Sequence, residues 1–274
     1  MPKFGSLTNP SKDIVKEITD IHKHGFDFAE VNIEAPTTPE IIAKRQKEVL
    51  HHLKKFDVGP VGHTAWWLDL GTEYKEIRKS TINEFKKSIN ISSKLGIRLM
   101  NIHASSYGTY SGDKTKIILN NFVSNLKELT RYASEKGMRI MLENVPDKRA
   151  WATLDSFKYV VTRVPGLNVH LDVGHAFVLD GMKEIKSYIS FFGDGIEHIH
   201  IHDNHGNSDE HLGLGEGNID FPTVVKELKK IDYDKTITFE VFSQFHKGKF
   251  VHVALPRNLQ QKSMEYFKKL WVKA

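Results

Sequence analysis

The 274-residue chain contains no cysteine. That absence excludes disulfides, thiolate metal sites and cysteine nucleophiles together, so a metal ion would have only His, Asp and Glu to hold it. Long apolar runs are lacking too. None approaches the roughly 18 residues that a membrane-spanning helix needs, and the opening MPKFGSLTNPSKD has no apolar middle of the signal-peptide kind. A soluble, cytoplasmic protein with no membrane partner is expected. No linker, repeat array or low-complexity tract divides the chain, and 39% hydrophobic residues over this length suffice for one large core. The expectation is a single domain over residues 1–274. Net charge is only +5, and lysines such as Lys226, Lys229 and Lys230 are spread along helical segments rather than gathered in a block. A weak pull on anionic partners and a plain solvated helix surface both fit.

What the sequence does have is alternation. Short β-rich runs, each ending in a polar cluster, are separated by longer runs with helical spacing. Strands are expected over Lys3 to Thr8, Phe28 to Glu34, Pro60 to Trp66, Leu99 to Ala104, Arg139 to Val145, Asn168 to Val173, Glu197 to Asp203 and Thr236 to Phe242. Between the fourth and fifth, Ile118, Phe122, Leu126, Leu129 and Ala133 recur in steps of three and four, which puts them on one helix face. Thr38-Pro39-Glu40 reads as a helix start, and Gly96 and Gly137 close helical runs where a left-handed cap is wanted. Eight strand-helix units point to an α/β fold, a single (β/α)8 TIM barrel, with a doubly wound open sheet as the alternative.

In a parallel barrel alternate strand residues point inward, and the functional site forms at the strands' C-terminal ends. The last inward polar residues there are nearly all metal-binding types: His63 in VGHTAWW, His103 in NIHAS, Glu143 in MLENV, Asp172 in HLDVGH, His202 in HIHIHDN and Glu240 in TFEVF. His175, Asp209 and His211 follow on loops. One such residue at a strand end is ordinarily just hydrogen-bonded. Six that converge would bury facing charges, at a cost that cations remove. A metal site at the barrel mouth is therefore expected. His198 and His200 share the inward face with His202 and are assigned to hydrogen-bonded layers beneath it. His22, His24, His51, His52 and His246 are read as surface or supporting residues.

These residues, in this order, resemble the xylose isomerase-like TIM-barrel superfamily, and within it the endonuclease IV type of AP endonuclease. GHTAWWLDLG, LMNIHAS, LDVGHAF and DEHLGLGEGNI each match a family segment. The resemblance implies up to three zinc ions, with manganese or another divalent ion as the alternative. One would be held by His63, His103 and Glu143, a second by Glu143, Asp172, His202 and Glu240, and a third by His175, Asp209 and His211. It implies cleavage of DNA at abasic sites, with Glu143 bridging two metals. The sugar and sugar-phosphate isomerase and epimerase branch of the same superfamily needs only the middle metal, and there Glu143 and Glu240 would move a proton next to a carbonyl.

Two features lean toward that branch. The segment after the second strand, IEAPTTPEII, is short, acidic and free of arginine, where the endonucleases carry a DNA-entering loop; Glu34 within it would face a polyol. The family's Asp-Thr-Cys-His element appears as Asp172-Val-Gly-His175. Trp66 and Trp67 stand where they would stack on bases or on a sugar's apolar face, although at least one is expected to pack beneath the neighbouring helix. Lys148, Arg149 and Trp151 form a weak candidate phosphate contact.

The run DEHLGLGEGNID resembles a phosphate-cradling loop. Such a loop follows a strand and opens directly into a helix. Here Asp209 and His211 come first, and the next helix is expected near Asp220 or Phe221. The glycines are read as allowing tight turns over the mouth, with any phosphate gripped by the metal of His175, Asp209 and His211.

Overall fold

A computed structural model describes residues 1–106, 113–147, 152–246, 249–252 and 256–274. Eight parallel strands close into a barrel in chain order: β1 (Lys3–Leu7), β2 (Phe28–Ile33), β3 (Val61–Thr64), β4 (Leu99–His103), β5 (Arg139–Glu143), β6 (Asn168–Asp172), β7 (Ile196–Ile201) and β8 (Thr236–Phe239). β8 pairs with β1, with Lys3 in register with Thr236 and Gly5 with Thr238, so the open-sheet alternative falls away. After β8 an antiparallel hairpin, β9 (Ser243–His246) and β10 (Lys249–His252), was not anticipated from the sequence.

The helices cover the outside because the outward residues of most strands are apolar. Val31, Ile102, Leu142, Leu171, Ile199, Ile201 and Ile237 join one core with the inner faces of the helices. On α5 (Asp113–Ser134) the five residues of the anticipated stripe are all buried, each fully buried apolar side chain contributing about 1.5–3 kcal/mol. Gly96 and Gly137 adopt φ of 78° and 66°, as a left-handed helix end requires. Asp220 caps α8 (Phe221–Lys230) by accepting the Thr223 N–H, and Pro39 opens α2 (Pro39–Lys44), though the Thr38 hydroxyl makes no capping hydrogen bond. Among the described residues no helix is long and apolar enough to cross a membrane.

The barrel interior is layered. Phe28, Val61 and Met141 form an apolar floor. The Phe28 ring fills the space at Gly5, where any side chain would collide with it. Directly above, the interior turns polar: Glu30, Asn101, His170 and His198 are all fully buried. The next layer opens onto the mouth.

Candidate metal centre and active site

The strands deliver the mouth residues in register. His103 pairs with Glu143 across β4 and β5, and Asp172 with His200 across β6 and β7. One potential ligand atom from each of Glu143, Asp172, His200 and Glu240 lies within 4.8 Å of the others. Asp172 shows how the chain divides one carboxylate between two tasks. As the N-cap of α7 (Val173–Phe192), its Oδ1 accepts the His175 N–H at 2.6 Å, while its Oδ2 is buried with no hydrogen-bond partner. Two groups flank this centre. His63, His103 and Glu143 form one set, with His103 Nε2 3.2 Å from Glu143 Oε2 and its Nδ1 without a hydrogen-bond partner.

On the other flank His175 and His211 converge on Asp209, at 3.3 and 3.1 Å from their Nε2 atoms. Each ring is held from behind by a backbone carbonyl: His175 Nδ1 donates to Asn144 O at 2.8 Å and His211 Nδ1 to Glu240 O at 2.9 Å. That keeps a proton on Nδ1 of both rings and turns each Nε2 toward the Asp209 carboxylate, where a second proton stands unless a metal ion takes its place. His211 holds a left-handed backbone, with φ of 48°, which for a non-glycine residue is strain kept at a site of function.

Burial and crowding set the charges. Burial pushes the Glu143 carboxyl up to about 8, against the lowering pull of His200. Glu240 is opposite in sign: burial raises it, but His200 and His211 outweigh that and hold it below its ordinary value. Burial likewise opposes charge on Asp172, and His175 and His202 reverse it. Burial lowers His63 to about 4, which leaves a neutral imidazole. Glu34 sits at the end of β2, its Oε1 accepting from Asn32 Nδ2 at 2.9 Å, and burial raises its carboxyl to about 7. So many buried N and O donors, several with atoms left unpartnered, fit divalent cations of the zinc or manganese type. Such ions take this mixed His and carboxylate set.

The family model described as "Xylose isomerase-like TIM barrel" matches residues 18–270. The chain belongs to the xylose isomerase-like TIM-barrel family. An uncharacterized protein of Methanocaldococcus jannaschii, MJ1311, is 30% identical over 245 residues, 87% of this chain and 83% of its own length. An L-ribulose 3-epimerase of a Methylomonas species is 26% identical over 83% of this chain and 78% of its own length. A probable endonuclease 4 of Aquifex aeolicus is 22% identical over 88% of this chain and 91% of its own length. Among solved structures, a D-tagatose 3-epimerase-like protein superposes with a TM-score of 0.81 at 27% identity, over 99% of this chain and 97% of that one.

Within this xylose isomerase-like barrel the expected residues gather at the mouth, with one exchange. The strand-seven residue beside Glu143, Asp172 and Glu240 is His200, which the sequence pattern alone puts in a supporting layer. His202 instead lies with His175, His211 and Glu240, its ring stacked 4.0 Å from that of His211. The reason is the stagger of a closed barrel: the last inward residue of each strand does not stand at one height. The register partner of Asp172 would have identified His200. Gly174 makes room for His202, because a side chain there would overlap its ring. Trp66 and Trp67 are 52% and 42% exposed and pack edge to face, so neither is covered by a helix. His22, His24, His51 and His52 are on the surface; Lys148, Arg149, Trp151 and the His246 side chain lie outside the described residues.

The glycine run turns out to cradle an anion, but one belonging to the protein. The carboxylate of Asp203, fully buried just beyond β7, accepts the N–H groups of Gly215 and Gly217 at 2.9 Å and of Ile219 at 3.1 Å, besides that of Asn204 at 2.9 Å. Gly215 has φ of 90°, and a side chain at Gly217 would strike the Asp203 carboxylate. Those amides are committed, which leaves no cradle for a phosphate. They anchor the loop that carries Asp209 and His211.

Proposed function

We propose that this protein is a divalent-metal-dependent epimerase or isomerase of a sugar or sugar phosphate. The observation that carries the reading is the grouping of Glu143, Asp172, His200 and Glu240, in which two carboxylates from strands three apart face one space. When bound there, a divalent cation supplies polarisation of the carbonyl and alignment of neighbouring sugar oxygens. Glu240, held ionised by His200 and His211, removes the proton from the carbon next to the carbonyl. Glu143, whose environment favours the protonated form, returns one to the other face. The stereocentre inverts with no net change in protons. Trp66 and Trp67 offer apolar faces at the rim, and Glu34 lies where a neutral carboxyl would meet a hydroxyl. The sugar 3-epimerase among the relatives and the epimerase-like solved structure support the same class.

The test is proton exchange. Metal-loaded protein is incubated in deuterated water with a panel of ketoses, aldoses and their phosphates. Deuterium should enter the carbon beside the carbonyl of at least one, and Glu240→Gln should stop it. No exchange across the panel would sink the reading.

A second reading, phosphodiester cleavage at abasic sites in DNA, is favoured by a separate observation. The flanking sets of His63 with His103 and of His175, Asp209 and His211 are both assembled, and one-metal sugar chemistry does not call for them. Against it stands the short connection of residues 34–38 between β2 and α2. Close to three metal ions per chain together with incision of an abasic duplex would favour this reading. One ion and intact DNA would remove it.

A further inference from the structure

Beneath the mouth, Glu30 on β2 reaches across the barrel to β7. Its carboxylate receives the Nε2 of His200 at 3.0 Å and the Nε2 of His198 at 3.1 Å. All three residues are fully buried. A carboxylate has only acceptor sites, so both imidazoles carry a proton on Nε2. For His198 this is complete, since its Nδ1 accepts the Thr236 hydroxyl at 2.7 Å. For His200 it leaves Nδ1 facing three carboxylates: Glu240 Oε2 at 3.1 Å, Glu143 Oε1 at 3.7 Å and Asp172 Oδ2 at 3.9 Å. A bare lone pair in that position is repelled from every side, so either a proton or a cation must stand between.

From this geometry we infer that Glu30 is a positioning residue for the metal centre: it fixes His200 as the tautomer that binds a cation through Nδ1. The inference rests on the reading that the Glu143, Asp172, His200 and Glu240 cluster holds a divalent ion. Glu30 cannot touch substrate, being sealed between the mouth layer and the floor of Phe28, Val61 and Met141. It acts through His200 alone, as a carboxylate behind a ligating histidine does when it orients the ring and raises its basicity. A carboxamide at position 30 accepts one N–H and presents a donor to the other ring. It therefore breaks this arrangement without changing volume.

The experiment uses Zn²⁺ as the probe and reads binding rather than turnover. Chelator competition on the full chain should show Glu30→Gln weakening Zn²⁺ by about 10- to 100-fold. Thr236→Val, which disturbs only the His198 side of Glu30, should leave the affinity unchanged. Imidazole ¹⁵N spectra of the wild-type protein supply the second arm. On adding Zn²⁺, His200 Nδ1 should take the metal-bound shift while Nε2 keeps its proton. Binding of Zn²⁺ through Nε2, or equal affinity in a folded Glu30→Gln protein, overturns the inference. If Glu30→Gln does not fold, the ¹⁵N spectra decide it. Wild-type protein that binds no Zn²⁺ at the cluster sinks the metal reading itself, a result distinct from either.

Discussion

Asp203 and Asp172 are buried carboxylates at the ends of neighbouring strands, Asp172 closing β6 and Asp203 two residues past β7. Asp203 accepts four backbone N–H groups within 3.1 Å, two on each oxygen. Asp172 spends one oxygen capping a helix and leaves the other without a hydrogen bond, among Glu143, His200 and Glu240. A buried charge costs several kcal/mol unless something compensates it. The loop compensates Asp203 with fixed backbone amides, whereas at the mouth Asp172 is compensated by the neighbouring imidazoles of His175 and His202, whose protons a cation can replace. The first arrangement builds structure and the second reserves a site, so removing each carboxylate should break a different property.

The largest effect should be on chemistry at the reserved site. Glu240→Gln should lower proton exchange by about 10²- to 10⁴-fold, the usual contribution of a positioned base, with urea denaturation showing a smaller loss of stability than at Asp203, because the amide keeps the side chain's shape and gives up only the attraction of His200 and His211. Asp203→Ala should do the reverse. It strands four amides and releases the loop of Asp209 and His211, so urea denaturation should show a loss of about 3–5 kcal/mol. If Glu240→Gln proved the more destabilising of the two, the contrast between the two carboxylate environments would fail.

Metal removal is the next test in size. A cation held by the native mouth and not by the unfolded chain stabilises by about 2.7 kcal/mol when present at 100 times its dissociation constant. EDTA should therefore lower the melting temperature of the wild-type protein, and added Zn²⁺ or Mn²⁺ should restore it. Asp203→Ala should lose most of its increment in EDTA as well, because its partners are all amides of the chain.

The barrel was legible in the sequence because strand and helix periods repeat without interruption: all eight strands begin within one residue of expectation, and the α5 stripe is buried as its spacing predicts. The mouth residues were legible as a set, since metal-binding side chains rarely recur by chance at so many successive strand ends. What sequence order could not convey was height. His200 and His202 both point inward, and only the pairing of Asp172 with His200 shows which of them joins the carboxylates. The glycine run misled for a related reason. Its amides do embrace an anion, but the carboxylate of Asp203 approaches from the strand before it. The β9–β10 hairpin was missed because its two four-residue strands carry only Phe245, Phe250 and Val251 as apolar residues, too few for the period-2 signal that marks the barrel strands.

Glu34 refines the comparison through pH. Burial raises its carboxyl from 4.5 to about 7, so between those values the native protein holds a proton that the unfolded chain has lost. Stability then falls as pH rises through the window, and the whole cost is present above about 7. The shift corresponds to a ceiling of about 3 kcal/mol. In EDTA-treated protein, the stability of Glu34→Gln relative to wild type should therefore be greater at pH 8 than at pH 4. A flat difference across that range would place Glu34 with the internally compensated carboxylates instead.

The smallest effect is expected at the rim, where Trp66 and Trp67 stand 52% and 42% exposed. Neither supports the core, so Trp67→Ala should leave the melting temperature unchanged. If their faces receive a sugar ring, Trp67→Ala should raise KM with kcat nearly untouched, by ~1 kcal/mol, since an exposed aromatic contributes binding shared by ground and transition states. If they receive the bases of an opened duplex, the loss should be about 1–3 kcal/mol for each base unstacked, and binding should weaken steeply with salt as phosphates are screened. A salt-independent rise in KM toward a neutral sugar would thus assign the rim to the same chemistry as the carboxylate pair beneath it.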